Sequence, residues 1–216
     1  MPNILLTGFA PFGGESTNPS WETVRRLEGQ VMADGSRIQV VQLPCEFGAA
    51  NAVLAQHIAL TGAQIVVCVG QAGGRSELSV ERVAINVDDA RIADNAGAQP
   101  IDVAIVAGGP AAYFSTLPIK AIVQALKHRG IPAAVSQTAG TYVCNHVFYG
   151  LMHYAAQENT IERAGFVHIP YLPEQATAHP GAPSMSLSMM MDGLLILLET
   201  ALTTRLDIKS VGGSTH

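Results

Sequence analysis

The sequence predicts a single-domain α/β protein with an open, twisted, mostly parallel (mixed) sheet and helices on both faces. Short apolar runs alternate along the chain with runs that have helical spacing, and this alternation is typical of such sheets. Residues 65–69 are apolar throughout, as in a central strand that is buried on both faces. The 216 residues contain no internal repeat and no linker, so we expect one domain over residues 1–216.

The individual elements follow from local patterns. Apolar runs bounded by glycine or proline predict six strands, at residues 4–7, 38–43, 65–69, 78–86, 131–135 and 165–170. Apolar residues three or four positions apart predict five helices, beginning near residues 18, 49, 118, 144 and 184–186. The last helix ends at about residue 205. The polar, glycine-rich tail that follows, from about residue 207 to 216, is expected to be disordered.

The fourth predicted strand changes phase within its length. Leu78 and Val80 lie on one face, but the apolar positions shift by one residue at Glu81 and Arg82. A register break that carries a carboxylate indicates a bulge, which is common beside active sites, or a charge that faces inward. A surface Glu–Arg pair on an edge strand explains the pattern equally well.

Two long segments lack a strong periodic pattern. Residues 88–108 are rich in Asp, Ala and Gly and predict a long loop or short hairpin that carries Arg91 and Ile92. Residues 171–184 follow Pro170 and contain three further prolines, which predicts a loop or lid. Loops of this length in compact domains are often functional or lie between subunits.

Composition narrows the classes of partner. The chain is 48% hydrophobic and only 13% charged, which predicts an apolar surface of the kind used in self-association. The formal net charge of -5 argues against nucleic acid and anionic membranes as partners. The three cysteines have neither a paired framework nor the CxxC spacing of a metal site.

No segment of the sequence predicts export or a membrane span. Residues 1–3 lead directly into an apolar strand and lack the basic region and cleavage site of a secretory signal. The most apolar segment, residues 187–202, is interrupted by Asp192, Gly193 and Glu199 and is too short to span a bilayer. We therefore expect a soluble, cytoplasmic protein.

Cys144 lies where a strand is predicted to turn into a helix. The apolar run at 131–135 precedes it, and Val147, Phe148 and Leu151 follow at helical spacing. Free N–H groups and the positive end of the helix dipole converge in the first turn of a helix. A thiol held there is expected to ionise more readily than a free one, and the thiolate is the nucleophile.

Two histidines are candidate partners for Cys144. His168 ends the strand that follows the Cys144 helix, so one β-α-β crossover can bring it to the same sheet edge. His146 is closer in sequence but projects from a different face of the helix. We therefore prefer His168 as the base, against the common alternative of a core histidine. With Glu81 the residues form a Cys–His–Glu set of nucleophile, base and orienting carboxylate.

Two glycine-rich turns follow strands at the edge where open α/β sheets bind ligands. The turn at 8–14 carries Phe9 and Phe12, which either cap the core or present their rings to a ligand, and it does not follow the dinucleotide-binding GxGxxG pattern. The turn at 70–75 is able to cradle an anion. It does not, however, open a helix as a phosphate-binding loop does.

Several segments together resemble the type I pyroglutamyl peptidases, also called pyrrolidone-carboxylate peptidases, a family of cysteine peptidases. They are GFAPFGG at 8–14, NPS at 18–20, GQAGGR at 70–75, ERVAIN at 81–86, GTYVCN at 140–145 and HIP at 168–170. In this order and spacing they are very specific, and they extend over nearly the whole chain. Tyr142 stands where many relatives have phenylalanine, and the C-terminal tail matches least.

The resemblance implies that Cys144 is the nucleophile, His168 the base and Glu81 the third member of the triad. It implies removal of an N-terminal pyroglutamyl (5-oxoproline) residue from peptides without cofactor or metal, usually by a cytoplasmic homotetramer. It also implies a substrate pocket built from Phe9, Phe12, Gln71, Ile92, Tyr142 and Val143. For the second oxyanion donor, beside the Cys144 N–H, we expect Arg91 or the region of Gln71.

The chemistry of the implied substrate agrees with these residue types. A pyroglutamyl group is a small, flat, neutral ring, so its pocket needs apolar or aromatic walls and a few amide-type partners rather than a carboxylate. Two other functions stay open: a related α/β enzyme such as a nucleoside phosphorylase, and a non-catalytic binding or scaffold protein. Phosphate-dependent cleavage of nucleosides that is unaffected by thiol alkylation indicates the first. A Cys144→Ser substitution with no measurable effect indicates the second.

Overall fold

The computed structural model of the chain describes residues 2–213. The strands are β1 (Asn3–Phe9), β2 (Ile38–Leu43), β3 (Ala63–Gln71), β4 (Leu78–Glu81), β5 (Val83–Ile85), β6 (Ala112–Phe114), β7 (Ala133–Ser136) and β8 (Arg163–Ile169). The helices are α1 (Pro19–Val24), α2 (Ala49–Thr61), α3 (Ile119–His128), α4 (Val143–Gln157), α5 (Pro173–Ala176) and α6 (Leu187–Thr203), and a short 3-10 helix (Arg25–Leu27) follows α1.

Six strands form one sheet in the order β2-β1-β3-β8-β4-β7. Neighbouring strands are parallel except β4 and β8, which are antiparallel. The remaining two strands, β5 and β6, form a separate antiparallel ribbon. The predicted fold class, a mostly parallel mixed sheet in a single domain, is therefore confirmed.

Helices cover both faces of the six-stranded sheet. Leu5 and Val66 pack with α2 and α4 on one face, whereas Leu6 and Val67 pack with α1, α3 and α6 on the other. Successive strand residues point to opposite faces, so a run that is apolar throughout serves both cores. Residues 65–69 are at most 2% exposed, as predicted for a central strand. Among the described helices, none has the length and apolar character needed to cross a membrane.

The predicted strand at 78–86 is wrong as a single element. The chain leaves the large sheet after Glu81, and β5 pairs with β6 instead. Leu78 and Val80 lie in the core with α1, α3 and α6, whereas in β5 only Ala84 is buried, in the core with α2 and α4, and Val83 and Ile85 are partly buried. The sequence analysis also missed β6, whose three residues are all apolar although two are exposed, so that the sequence shows no alternation of polar and apolar residues. It missed α5 as well, which lies within the predicted loop at 171–184.

The C-terminal tail contacts the domain. The Asp207 carboxylate accepts hydrogen bonds from the N–H groups of Lys120 and Ala121 at the start of α3, at 3.0 and 2.9 Å. The Gly212 carbonyl accepts a hydrogen bond from the Arg82 guanidinium at 3.4 Å. The predicted disorder of the tail stays a prediction, and residues 214–216 lie outside the described part of the chain.

Candidate active site

Cys144 is the second residue of α4, as the strand-to-helix pattern predicts. Tyr142 is the N-cap and has extended backbone, with no side-chain cap. The His146 N–H donates to the Tyr142 carbonyl at 3.1 Å, so the N–H groups of Val143, Cys144 and Asn145 precede the first helical hydrogen bond. Cys144 as a whole residue is partly exposed. A nucleophile at this position has backbone donors beside it for a developing negative charge.

Gly70 makes room for the thiol. A Cβ atom at this position would lie 2.9 Å from Cys144 Sγ and 2.8 Å from Phe166 Cζ. Gly70 is paired with His168 between β3 and β8, and paired residues point to the same face of a sheet. The structure therefore brings Cys144 and His168 to the same face, at the same edge of the sheet.

Glu81 is the last residue of β4 and is fully buried. Its Oε1 lies 2.7 Å from Nδ1 of His168. Ser79 is opposite His168 in the antiparallel pairing, so Glu81, two residues further on, is its diagonal neighbour on the same face. The inward-facing charge is thus the correct interpretation of the register break. The alternative of a surface pair with Arg82 is wrong, because Glu81 forms its ion pair with Arg75 at 2.7 Å.

Burial has the largest effect on protonation in this set. It raises the pKa of the Cys144 thiol, as do the Cys45 thiol and the Glu81 carboxylate, whereas Arg75 lowers it. Burial also lowers the pKa of His168, against the hydrogen bond to Glu81, which raises it. Both directions favour a neutral thiol and a neutral imidazole at rest. Burial of the thiol thus acts against the easier ionisation that we expected at the helix N-terminus.

The loop after β1 is fixed by the start of α1. The Ser20 hydroxyl accepts the Phe9 N–H at 2.9 Å, and the Asn18 amide donates to the Ala10 carbonyl at 3.1 Å. Asn18 is also the N-cap of α1, since its Oδ1 accepts the Ser20 N–H. A Cβ atom on Gly8 would lie 2.7 Å from the Ser20 backbone. These contacts give the residues of the NPS segment a structural role in holding the aromatic loop.

The two phenylalanines of this loop occupy different environments. Phe9 is 2% exposed and packs in the core, with its ring centroid 6.2 Å from that of Phe166. Phe12 is partly buried and lies 6.1 Å from the ring of Tyr142, which in turn meets Phe47 edge-on at 5.4 Å. The segment before Cys144 is therefore lined by aromatic rings, and the role of Phe9 and Phe12 as pocket walls stays a prediction.

The long loop at 88–108 packs against the segment that leads to Cys144. The Asp89 N–H donates to the Thr141 carbonyl at 2.9 Å, and the Tyr142 hydroxyl donates to the Ala93 carbonyl at 3.1 Å. Between these anchors lie Arg91, which is exposed, and Ile92, which is 38% exposed. The loop thus runs beside the segment that leads to Cys144, and the roles of Arg91 and Ile92 stay predictions. Of the other predicted wall residues, Val143 is fully buried.

Gln71 lies at the end of β3 and contacts the short helix α5. Its Oε1 accepts a hydrogen bond from Gln175 Nε2 at 3.2 Å, and the same Gln175 amide donates to the Thr17 carbonyl. Gln71 is adjacent to Gly70 but has the opposite strand parity, so its side chain starts from the other face. The structure does not bring the Gln71 side chain into the Cys–His–Glu set, and its part in the pocket stays a prediction.

His146 has a separate structural environment. Its Nε2 accepts the Gly48 N–H at 2.9 Å, so the ring proton is on Nδ1 and donates to Asp88 Oδ2 at 2.8 Å. Both ring nitrogens are therefore occupied, which agrees with the preference for His168. Next to it, the Asn145 side chain binds the backbone of Ile85 and Val87 at 2.9 to 3.0 Å. Together these contacts hold the long loop to the start of α4.

Sequence reasoning missed Arg75 and Asp88. Arg75 was visible only as the end of a glycine-rich turn, and Asp88 as one of several acidic residues in a loop. Their partners are distant in sequence, so no local pattern identifies them. Within residues 2–213, no cluster of His, Cys, Asp and Glu has the arrangement of a metal site.

A twisted α/β sheet with a cysteine at a helix start and a buried His–Glu pair beside it defines the cysteine-hydrolase class. Sequence comparison identifies the family: a family model described as pyroglutamyl peptidase matches residues 2–204. The chain belongs to the pyroglutamyl peptidase family and is an enzyme of the pyroglutamyl peptidase I type. The resemblance found in the motifs is therefore confirmed.

Individual relatives agree with this assignment. The pyrrolidone-carboxylate peptidase of Cupriavidus taiwanensis is 60% identical over 100% of both chains. Among solved structures, pyroglutamyl peptidase I of Bacillus amyloliquefaciens is 50% identical with a TM-score of 0.94, covering 97% of this chain and 99% of its own. Pyrrolidone carboxyl peptidase of Pyrococcus furiosus is 43% identical with a TM-score of 0.90, covering 93% and 98%.

Proposed function

We propose that this enzyme removes an N-terminal pyroglutamyl residue from peptides by acyl transfer through a thioester on Cys144. The observation that carries the proposal is the 2.7 Å hydrogen bond between His168 and the buried Glu81, on the sheet face where the Cys144 thiol lies. The bond uses Nδ1 and leaves Nε2 of the neutral imidazole as a proton acceptor. Family membership supports the substrate class.

The first half of the reaction forms the acyl-enzyme. As Cys144 Sγ attacks the pyroglutamyl carbonyl carbon, His168 accepts the thiol proton, in keeping with the pKa directions that favour a neutral pair at rest. The C–N bond then breaks, and His168 gives that proton to the leaving amine. Glu81 stabilises the imidazolium that exists between these steps and fixes the ring orientation.

The second half releases the product. His168 removes a proton from water, the resulting hydroxide attacks the thioester carbon, and the C–S bond breaks to give 5-oxoproline. His168 returns the proton to Cys144 Sγ, which restores the resting pair. In both halves the negatively charged oxygen of the tetrahedral intermediate accepts a hydrogen bond from the Cys144 N–H. We expect Arg91 or the region of Gln71 to supply a second donor.

The substrate ring is expected to lie among the aromatic and apolar groups near Cys144. We assign the walls of this pocket to Phe9, Phe12, Gln71, Ile92, Tyr142 and Val143. A neutral lactam needs amide-type hydrogen bonds, so a prolyl group, which lacks the ring carbonyl, leaves those partners unpaired. Selection of pyroglutamyl over prolyl substrates is thus part of the proposal.

Release of a chromogenic amine from a pyroglutamyl amide tests the proposal. Wild type is expected to hydrolyse the pyroglutamyl amide and to reject the prolyl amide, and Cys144→Ala should lower kcat/KM by at least about 10³-fold. Cys68→Ala is the matched control, because Cys68 is fully buried in β3 and should keep the activity of wild type. A wild type without activity, or a Cys144→Ala variant as active as wild type, contradicts the mechanism.

The state of the protein in the cell is part of the same proposal. We expect a cytoplasmic homotetramer that acts without metal or cofactor. Apolar side chains on the surface support self-association, since Ile101, Val103 and Phe114 are 50 to 70% exposed. Light scattering during gel filtration tests the assembly, and a monomeric mass contradicts it.

A further inference from the structure

Arg75 contacts the triad from outside it. It ends the glycine-rich turn after β3, and its Nη1 lies 2.7 Å from Glu81 Oε1. Its Nη2 donates to the Thr138 carbonyl at 3.1 Å, and Nη1 also approaches the Ser136 hydroxyl at 3.3 Å. One guanidinium therefore joins the end of β4 to the chain between β7 and α4, which leads to Cys144.

The contacts of Glu81 make its orientation depend on few donors. His168 Nδ1 and Arg75 Nη1 both bind the same oxygen, Oε1. The other oxygen, Oε2, is buried and has no hydrogen-bond partner among residues 2–213. A carboxylate that is 0% exposed is costly to bury without opposite charge. Since the imidazole is neutral at rest, Arg75 supplies the positive charge that faces Glu81.

We propose that Arg75 is a positioning residue of this enzyme, which orients Glu81 toward His168 and ties that carboxylate to the segment that carries Cys144. The inference rests on the function proposed above. A planar guanidinium suits the task because it donates in two directions at fixed angles. A lysine ammonium carries the same charge on a single compact group. It does not reach both Glu81 and the Thr138 carbonyl in the same way.

The charge of Arg75 also acts on the two reacting groups. For His168, burial lowers the pKa, Glu81 raises it and Arg75 lowers it. For Cys144, burial raises the pKa together with Cys45, Glu81 and Cys68, and Arg75 lowers it. Arg75 thus keeps the base unprotonated to lower pH and makes the thiol easier to deprotonate. Its removal should shift the acid limb of the kcat/KM profile to higher pH.

Arg75→Met and Arg75→Lys separate the charge from the shape. Wild type and Cys144→Ala first establish the activity. We then expect Arg75→Met to lower kcat/KM about 10- to 100-fold, which is the range for loss of a hydrogen bond to a charged group. The same variant should move the acid limb of the kcat/KM profile to higher pH. Arg75→Lys should keep the acid limb of wild type and lose several-fold in kcat/KM. Arg25→Met, which removes an exposed ion pair on α1, is the control and should match wild type.

Several outcomes overturn the inference. A folded Arg75→Met variant whose kcat/KM is within twofold of that of wild type contradicts any positioning role. If its kcat/KM falls but the acid limb of its pH profile does not move, Arg75 has a structural role alone. If Arg75→Met does not fold, Arg75→Lys decides, because full activity in it contradicts the two-directional contact. The rate of Cys144 alkylation by iodoacetamide needs no turnover. A slower rate at neutral pH in Arg75→Met therefore supports the electrostatic role even if wild type proves inactive on pyroglutamyl amides.

Discussion

Replacing Gly70 by alanine tests whether the close approach of β3 to the thiol sets the position of the nucleophile. The added Cβ would lie 2.9 Å from Cys144 Sγ and 2.8 Å from Phe166 Cζ, whereas ordinary contacts begin at 3.4 Å. The neighbours must therefore move by about 0.5 Å, which is the difference between the ordinary contact distance of 3.4 Å and the 2.9 Å to Cys144 Sγ. Gly70 has no positive φ, so alanine adds volume without backbone strain.

The expected cost differs for stability and for catalysis. Overpacking a core by one methyl group costs about 1–3 kcal/mol, which lowers Tm by about 2–12 °C for a chain of this length. Misplacement of a reacting group by about 1 Å can cost 10²-fold in rate. We therefore expect Gly70→Ala to lose about 10- to 100-fold in kcat/KM while it remains folded at 25 °C.

Gly165→Ala is the matched control for this experiment. It adds the same methyl group to a strand of the same sheet, where the Cβ would lie 2.4 Å from Leu117 Cδ1 and 2.6 Å from Ser115 Oγ. Gly165 has the strand parity opposite to His168, so the strain falls on the other face. Thermal unfolding and hydrolysis of a pyroglutamyl amide are measured for both variants. Equal loss of kcat/KM in the two, or none in Gly70→Ala, refutes the reasoning.

Two other outcomes follow from the buried ionisable groups. Asp88→Asn should lower Tm by about 3–12 °C, because the His146 ring loses a charged acceptor worth about 1.5–3 kcal/mol, whereas Asp89→Asn, at an exposed position, should leave Tm unchanged. Burial lowers the pKa of His168 below its ordinary value of 6.5, so the midpoint of the acid limb of kcat/KM should lie below pH 6.5. As the pH falls, the imidazole of His168 is protonated in the unfolded chain before it is protonated in the folded chain. His168 therefore contributes stability above pH 6.5 that is lost as the pH falls. A midpoint at or above 6.5 in the activity profile contradicts this.

Local sequence patterns were sufficient for much of the fold. The solid apolar run at 65–69 predicted the central strand, and the change from strand to helical spacing around Cys144 predicted the start of α4. In each case the pattern is long enough, or bounded sharply enough, to distinguish the periodicity of a strand from that of a helix. His168 does lie near the end of β8, but the β-α-β crossover assumed for it is wrong, because β7 runs antiparallel to β8 and β4 lies between them.

Contacts between distant segments were beyond the reach of local patterns. The pairing of β5 with β6 joins residues about 30 positions apart through strands of three residues each, too short for a period to be visible. The antiparallel pairing of β4 with β8 depends on which strands meet, and periodicity carries no such information. The effect of burial on the pKa of Cys144 was missed for a related reason, because burial is a tertiary property.

The exit of the chain from the large sheet after Glu81 links the two halves of the candidate site. Because β4 runs against β8, its last residue is the diagonal neighbour of His168, and the carboxylate meets the ring from a buried position. The chain then turns away into β5, where the backbone of Ile85 binds the side chain of Asn145, next to Cys144. A strand that continued in the large sheet to residue 86 would take these partners away from Asn145. The phase shift in the sequence therefore marks the point where one segment delivers a carboxylate to the base and then anchors the helix of the nucleophile.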